Sequence, residues 1–528
     1  MKGGTLESQY APAPAAATHT RATRTRRSVL KLFTALLVLA AYARLFYVST
    51  HHQEKRQKNT EPQASISRPQ PLSRLHSQTR HSHAHTLHRV QQCTLTNLHA
   101  NLSFLGVSPI ASADFLARRD ALARALHAEG VDAFALEPGY TFQYYGNVSQ
   151  QDWEPWEPEE RPMLMLVQPV RNASTGAIVA KTSFLSPAFE EGRVRMLGIP
   201  AAEGQELDIV TWEEHWNPYE TLRRSRLFAA RESVTVMVDE EMRDYIVRGL
   251  AASGFETVGL RGEVEAVRQI KTDAEVELIR AVNTGTVEAV RAMRPCLVPG
   301  LIEDEVMEIL DNSLLSIGFS LFFDIVLFEE NGALPHGGFV TGGKVLKEDS
   351  VVLIDVGAHY LGYSSDICRS FFIPTWEERS LWEKAISIMT FSKPSSALTT
   401  TNSDLYAEKL KVWDIVLEAQ TESAKMFKPN NSAASVDIAA RTVISDAGYG
   451  EMFTHRVGHG IGIKAHESPY LNKGNHKVLL KPGMTFTSEP GIYMLNKFGV
   501  RHEDIYVVRE EGEAELLTGK RAVSPWEP

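Results

Sequence analysis

Residues 351–371 read VVLIDVGAHYLGYSSDICRSF, and the opening of this stretch decides how the rest is read. Val351-Val-Leu-Ile is a continuous apolar run that fits a buried strand, yet it leads straight into Asp355, with Val356 beyond. A carboxylate inside such a strand is costly unless something neutralises it. Asp366 follows a short distance on. A chain reversal at Tyr360-Leu361 sets Asp355 directly opposite Asp366, with Cβ atoms about 5 Å apart. Like charges at that distance repel, so a cation is implied.

The pattern recurs downstream. Met484-Thr-Phe-Thr-Ser-Glu489 and Gly499-Val-Arg-His-Glu503-Asp-Ile-Tyr-Val-Val are strand-like runs around a turn near Lys497-Phe498. Reversal centred on Asn496 places Glu489 opposite Glu503. Two hairpins that each present a carboxylate pair give four negative charges able to share one or two divalent cations. A single imidazole would move the preference from calcium toward manganese, cobalt, iron or zinc. His459, in Gly458-His-Gly-Ile-Gly462, is the candidate imidazole.

The words LIDVGAHYLGYSSDICRSF (353–371), GHGIGIKAHESP (458–469), SEPGIY (488–493) and GVRHED (499–504) resemble the pita-bread metallopeptidase family of aminopeptidase P, prolidase, methionine aminopeptidase and creatinase. The resemblance implies an α+β chain: a smaller creatinase-like α/β domain followed by a pita-bread catalytic domain with internal pseudo-twofold symmetry. It implies two divalent metal ions, manganese first, with cobalt, zinc or iron as alternatives. Asp355 would bind one ion, Asp366 and Glu503 would bridge both, and His459 and Glu489 would complete the second. A metal-bridging hydroxide would be the nucleophile, and Glu489 the proton shuttle. His336, His455, His466 and Arg501 match the extra histidines and the substrate-binding arginine of the proline-directed branch. The chain departs from the family at Cys368, where threonine is more usual, and at residues 387–404.

The expected function is thus an exopeptidase, dipeptidase or aminopeptidase, hydrolysing Xaa-Pro bonds in small peptides with proline second. Two other classes stay open. One is a lyase or hydrolase of non-peptide compounds on the same metal-binding fold, since fold alone does not fix the reaction. The other is a catalytically silent binding protein, against which four facing carboxylates speak. A homodimer is an open alternative to a single copy.

Charge is split along the chain. Residues 1–100 hold 14 Lys/Arg against 3 Asp/Glu, leaving 41 against 62 for the remainder. An acidic folded part argues against nucleic acid as a partner. The sequence reads as a basic cytosolic tail (1–28), a signal anchor or cleaved signal peptide (29–48), and a flexible linker (49–104) that includes His76, His81, His83, His85 and His88. The creatinase-like domain would occupy 105–262 and the catalytic domain 263–525. An uncleaved 29–48 segment would make the protein single-pass in a membrane. A cleaved one would release it to the secretory lumen or outside, and an Arg-rich, acid-poor start leaves a mitochondrial address as the alternative. Asn101, Asn147, Asn172 and Asn430 head Asn-x-Ser sequons. Cys93, Cys296 and Cys368 are too few for a disulfide framework or a four-cysteine zinc site. Thr272 and Glu275 form a capping box for a helix that Pro295 stops. Val306, Ile309, Leu310 and Leu314 stripe the next helix. Ser387–Asp404 has no period and reads as an insertion, with helix resuming at Tyr406.

Overall fold

A computed structural model describes residues 73–373 and 400–528. The basic tail (1–28), the signal anchor or signal peptide (29–48), the first part of the linker (49–72) and the insertion from Ser387 to Thr399 lie outside that range. Among the described residues no helix is long and apolar enough to cross a membrane. The segment read as linker is corrected in part: α1 (Ser73–Leu98) is a helix. Its inward residues Val90, Thr94 and Leu98 are buried, and Cys93 is disulfide-bonded to Cys296. Composition called this stretch polar because only a narrow stripe, Leu87, Val90, Thr94 and Leu98, carries the packing. A stripe that narrow leaves overall hydrophobicity low.

The first lobe opens with α2 (Ser112–Ala128), which buries Phe115, Leu122 and Leu126. Gly130, at φ +67°, turns the chain into β1 (Ala133–Leu136). Then come β2 (Leu164–Arg171), β3 (Ile178–Pro187), β4 (Asp208–Trp212), β5 (Thr235–Val238) and β6 (Glu256–Val258). They form one mixed six-stranded sheet in the order β4-β3-β2-β1-β5-β6.

The second lobe has two similar halves. In the first half, α3 (Asp273–Met293) starts at the Thr272/Glu275 capping box and gives way to a 3₁₀ turn at Arg294–Cys296. Next is α4 (Glu303–Ser316), with Val306, Ile309, Leu310 and Leu314 all buried. The two helices share one apolar core with β7 (Ser320–Phe328), β8 (Val351–Tyr360), β9 (Tyr363–Ser364) and β10 (Ile367–Phe372). In the second half, α5 (Thr400–Ala424) and α6 (Ala433–Asp446) lead into the strands that follow. These are β11 (Gly458–Gly460), β12 (Glu467–Leu471), β13 (Thr485–Ser488), β14 (Gly491–Met494), β15 (Phe498–Arg501), β16 (Asp504–Val507) and β17 (Glu515–Leu516). Helix α5 begins at Thr400, so the last residues assigned to the insertion belong to its first turn, ahead of Tyr406.

The hairpin registers test the carboxylate argument directly. Around Asn496, at φ +60°, the ladder pairs Gly491 with Arg501, Met494 with Phe498 and Ser488 with Asp504. Glu489 and Glu503 therefore sit across from one another, as expected. In the other hairpin the reversal falls one residue later than expected. Tyr360 pairs with Tyr363, and Asp355 pairs with Cys368 instead of Asp366. The cause is the two-residue turn Leu361-Gly362, whose residues have φ +50° and +88°. That conformation suits a tight hairpin and favours glycine at the second position. Asp366 is thereby a diagonal neighbour of Asp355, still within reach of it.

The two halves are tied by backbone and buried charge. Glu503 N donates to Cys368 O at 3.0 Å, and Ser370 Oγ donates to Arg501 O at 3.0 Å. Arg369, fully buried, donates to Asp504 Oδ1 at 2.6 Å. Within the second half, Gln420 Nε2 donates to Asp504 Oδ2 at 3.0 Å and so braces the acceptor of Arg369.

Candidate metal centre

Asp355 and Asp366 come from the first half, and His459, Glu489 and Glu503 from the second. Their ligand atoms gather in overlapping groups within 4.8 Å: Asp355, Asp366 and Glu503; His459, Glu489 and Glu503; and Asp366, His459 and His466. Asp366, His459 and Glu503 each stand in two of these groups. Local structure aims each side chain. The register of β11 shifts between His459 and Gly460, an irregularity of the kind that re-aims a strand residue. His459 N donates to Thr487 Oγ1 at 3.1 Å, and that hydroxyl donates to Glu489 Oε1 at 3.3 Å.

The chemistry of the donors fits a cation. His459 Nδ1 lies 3.0 Å from Gly460 O, and a carbonyl only accepts, so Nδ1 carries the hydrogen. Nε2 then faces Glu489 Oε1 at 3.2 Å and Asp366 Oδ2 at 3.5 Å. A lone pair aimed at two carboxylates needs a proton or a metal ion among them. Asp366 Oδ2 and Glu503 Oε1 are buried with no hydrogen-bond partner, a costly state for acceptors without a cation. Ligand bonds of about 2.1 Å bring neighbouring donors roughly 3–3.5 Å apart, which is the spacing of His459 Nε2 from Glu489 and Asp366.

Electrostatics agree. Burial pushes Asp355, Asp366 and Glu503 above the ordinary carboxylate range. Arg501 restrains the first and His459 the second, while for Glu503 the neighbouring Asp366 and Glu489 add to the rise. Burial would raise Glu489 too, but its contact with His459, with His455 and Arg501 nearby, holds it well below that range.

The other expected residues divide. His466 Nε2 stands 3.4 Å from Asp366 Oδ2 with its side chain 57% exposed, so it borders the cluster from the open side. His336 is also exposed and close enough to weigh on Asp355. The loop bearing it is pinned at one end by buried Glu303. That residue accepts from Phe328 N at 2.7 Å, from Asn331 Nδ2 at 2.9 Å and from Gly342 N at 2.8 Å.

His455 and Arg501 lie deeper. Nδ1 of His455 donates to Arg456 O at 2.7 Å, and Nε2 is 2.8 Å from the Tyr493 hydroxyl. That hydroxyl accepts from Arg501 Nη1 at 2.8 Å. Arg501 also donates to Pro335 O at 2.8 Å and forms an ion pair with Asp355. The protein holds His455 through both ring nitrogens and Arg501 through Nη1 and Nη2, while Arg501 Nε is buried with no hydrogen-bond partner. Tyr493 was missed. Its signal is the flanking Gly491 and Gly499: a Cβ at Gly499 would stand 3.0 Å from Tyr493 Cδ1. Cys368 is buried opposite Asp355, packed with Leu327 and Leu353.

Residues 277–392 and 395–510 match the model of metallopeptidase family M24. An uncharacterized peptidase of Schizosaccharomyces pombe is 34% identical over 455 residues, 84% of this chain and 90% of the relative. The crystal structure of dipeptidase PepE from Mycobacterium ulcerans superposes with a TM-score of 0.62 at 27% identity, covering 78% of this chain and 98% of that one. A recombinant prolidase from Thermococcus sibiricus gives a TM-score of 0.59 at 26% identity, covering 77% and 98%. The chain belongs to metallopeptidase family M24 and has its pita-bread fold. It is a metal-dependent peptidase.

Proposed function

We propose that this peptidase is an exopeptidase for Xaa-Pro bonds, with two divalent ions, manganese first, held by Asp355, Asp366, His459, Glu489 and Glu503. The observation that carries the metal assignment is the pair of buried oxygens without a hydrogen bond, Asp366 Oδ2 and Glu503 Oε1, each on a residue shared by two ligand groups. Bound ions would supply Lewis-acid activation of water and of the scissile carbonyl.

The chain's own residues do the rest. Glu489, held ionised, takes a proton from the attacking water and delivers it to the leaving amine. An Xaa-Pro bond has no N–H, so the site must grip its carbonyl and ring. His336 and His466, the two histidines exposed beside the cluster, serve as donors to the carbonyl oxygen as it gains charge. His455, Tyr493 and Arg501 act as positioning residues. The chain His455–Tyr493–Arg501 fixes Asp355 and the base of the His336 loop at Pro335. The Thermococcus sibiricus prolidase supports the proline reading by likeness.

The test is a panel of Xaa-Pro and Xaa-Ala dipeptides and tripeptides on manganese-loaded protein. Xaa-Pro turnover at least about tenfold faster, roughly 1.4 kcal/mol of differential transition-state binding, is expected. Equal rates would defeat the proline assignment. No hydrolysis of either by metal-loaded protein would favour the non-peptide alternative.

A further inference from the structure

From His83 onward, α1 and the residues just after it are stitched to α3 and α4. Asn97 Nδ2 donates to Ala292 O at 3.0 Å and lies 3.3 Å from Cys296 Sγ. Gln91 Nε2 donates to Ile309 O at 3.4 Å, and His99 Nε2 is 2.9 Å from Ser316 Oγ. His83 meets Glu305. At the centre of this seam Cys93 and Cys296 are bonded across Cα atoms 5.9 Å apart and 203 residues of sequence. A helix with so narrow an apolar stripe gains little from burial to offset its ordering entropy. A covalent closure of a long loop supplies what the stripe does not. Such a bond persists in oxidising compartments and is reduced in the cytosol.

A second observation points the same way. Asn101, directly after α1, and Asn147 and Asn430 are exposed, and Asn172 is half-exposed. Asn147 and Asn430 occupy left-handed turns, at φ +58° and +68°. Asn172 holds the β2–β3 turn by accepting from Ser174 N at 2.9 Å and Thr175 N at 3.0 Å. Asn101 accepts from Ser103 N at 3.2 Å. In each case the side-chain amide nitrogen, the atom a glycan would take, makes no hydrogen bond among the described residues.

We propose that this chain matures in an oxidising, glycosylating lumen, where Cys93–Cys296 is formed as a structural disulfide and Asn101, Asn147, Asn172 and Asn430 are the N-glycan acceptors. The two thiols give up two protons and two electrons to a disulfide of the thiol-exchange class, which leaves as a dithiol. At each acceptor the Asn amide nitrogen loses a proton and bonds the anomeric carbon of a lipid-linked oligosaccharide, breaking its bond to the lipid pyrophosphate. The enzyme then works outside the cytosol, in keeping with a targeting role for residues 29–48. This holds whatever peptide the site cleaves.

The experiment takes the full-length protein from its own cells, quenched in acid and alkylated without reduction. Peptide mapping should find a Cys93–Cys296 cross-linked peptide that separates on reduction. Peptide-N-glycosidase should increase gel mobility and convert at least one of the four asparagines to aspartate. Wild-type protein should lose several degrees of melting midpoint in dithiothreitol, while a Cys93→Ser/Cys296→Ser double variant should not move. Alkylated Cys93 and Cys296 before reduction would overturn the proposal, and so would four unmodified sequons in a disulfide-bonded protein.

Discussion

Gly458, one residue before His459, can be made to move the centre without touching a ligand. In Gly458→Ala the new Cβ would lie 2.9 Å from Thr487 Oγ1 and 3.0 Å from Thr487 C, and nearer still to the Thr487 carbonyl oxygen. Apolar carbon needs about 3.5 Å or more, and the obstacle is the backbone of a neighbouring strand. β11 and β13 must part by on the order of 1 Å, because no flexible side-chain end can yield. Thr487 Oγ1 is also the atom that accepts from His459 N and donates to Glu489, so both groups shift together. A misplacement of that size costs about a hundredfold in rate, or about 2.7 kcal/mol of activation free energy. The assay is kcat/KM on manganese-loaded protein with a peptide substrate, alongside metal content and a thermal melt. A kcat/KM within about threefold of wild type, with an unchanged melt, would refute the claim that β11 and β13 set the ligand positions.

Asp366→Asn keeps shape but removes a charge shared by two ligand groups, so bound metal and hydrolysis should fall together by elemental analysis and turnover. Wild-type metal content in that variant would exclude the site. The raised Asp366 and Glu503 mean that the metal-free centre holds protons at a pH where exposed carboxylates hold none. Metal must expel them, so affinity should weaken as pH falls, and titration calorimetry in buffers of different ionisation enthalpy should show proton release. Heats that do not depend on the buffer would contradict this. Away from the centre, burial and then its contact with Asp324 push Asp311 up to about 7. The folded state therefore keeps a proton that the unfolded chain loses near pH 4. Wild-type stability should fall as pH rises from there to about 7 and stay low above it. Asp311→Asn should raise the melting midpoint at pH 8 and raise it by clearly less at pH 5; equal shifts at both would show that the carboxylate pair is not responsible.

Much of the centre was legible because charge inside apolar strands is self-announcing. Asp355, Glu489 and Glu503 could be picked out by their neighbours alone, and the Asn496 turn was readable from the runs that flank it. The Leu361-Gly362 turn was misplaced by one residue, although Gly362 carried the signal: a two-residue turn with both φ values positive favours glycine at its second central position. The tertiary hydrogen bonds were not readable. Nothing near His455 in sequence says that Tyr493 will engage it or that Arg501 will engage Tyr493 in turn. Nor does a polar stretch such as Ser73–Leu98 announce that one of its cysteines faces another 203 residues away.

The division of the centre between two halves also orders events in time. Arg501 and its ion-pair partner Asp355 are 146 residues apart in the chain. During synthesis, at roughly 5–20 residues per second, the first half is made with Asp355 and Asp366 side by side and nothing to complete their site. Hydrolytic power arrives only when the segment carrying Glu489 and Glu503 emerges and closes on the earlier hairpin. A chain cut before Glu489 and Glu503 is thus silent by construction, and the peptidase meets its first substrate only after both hairpins have been made.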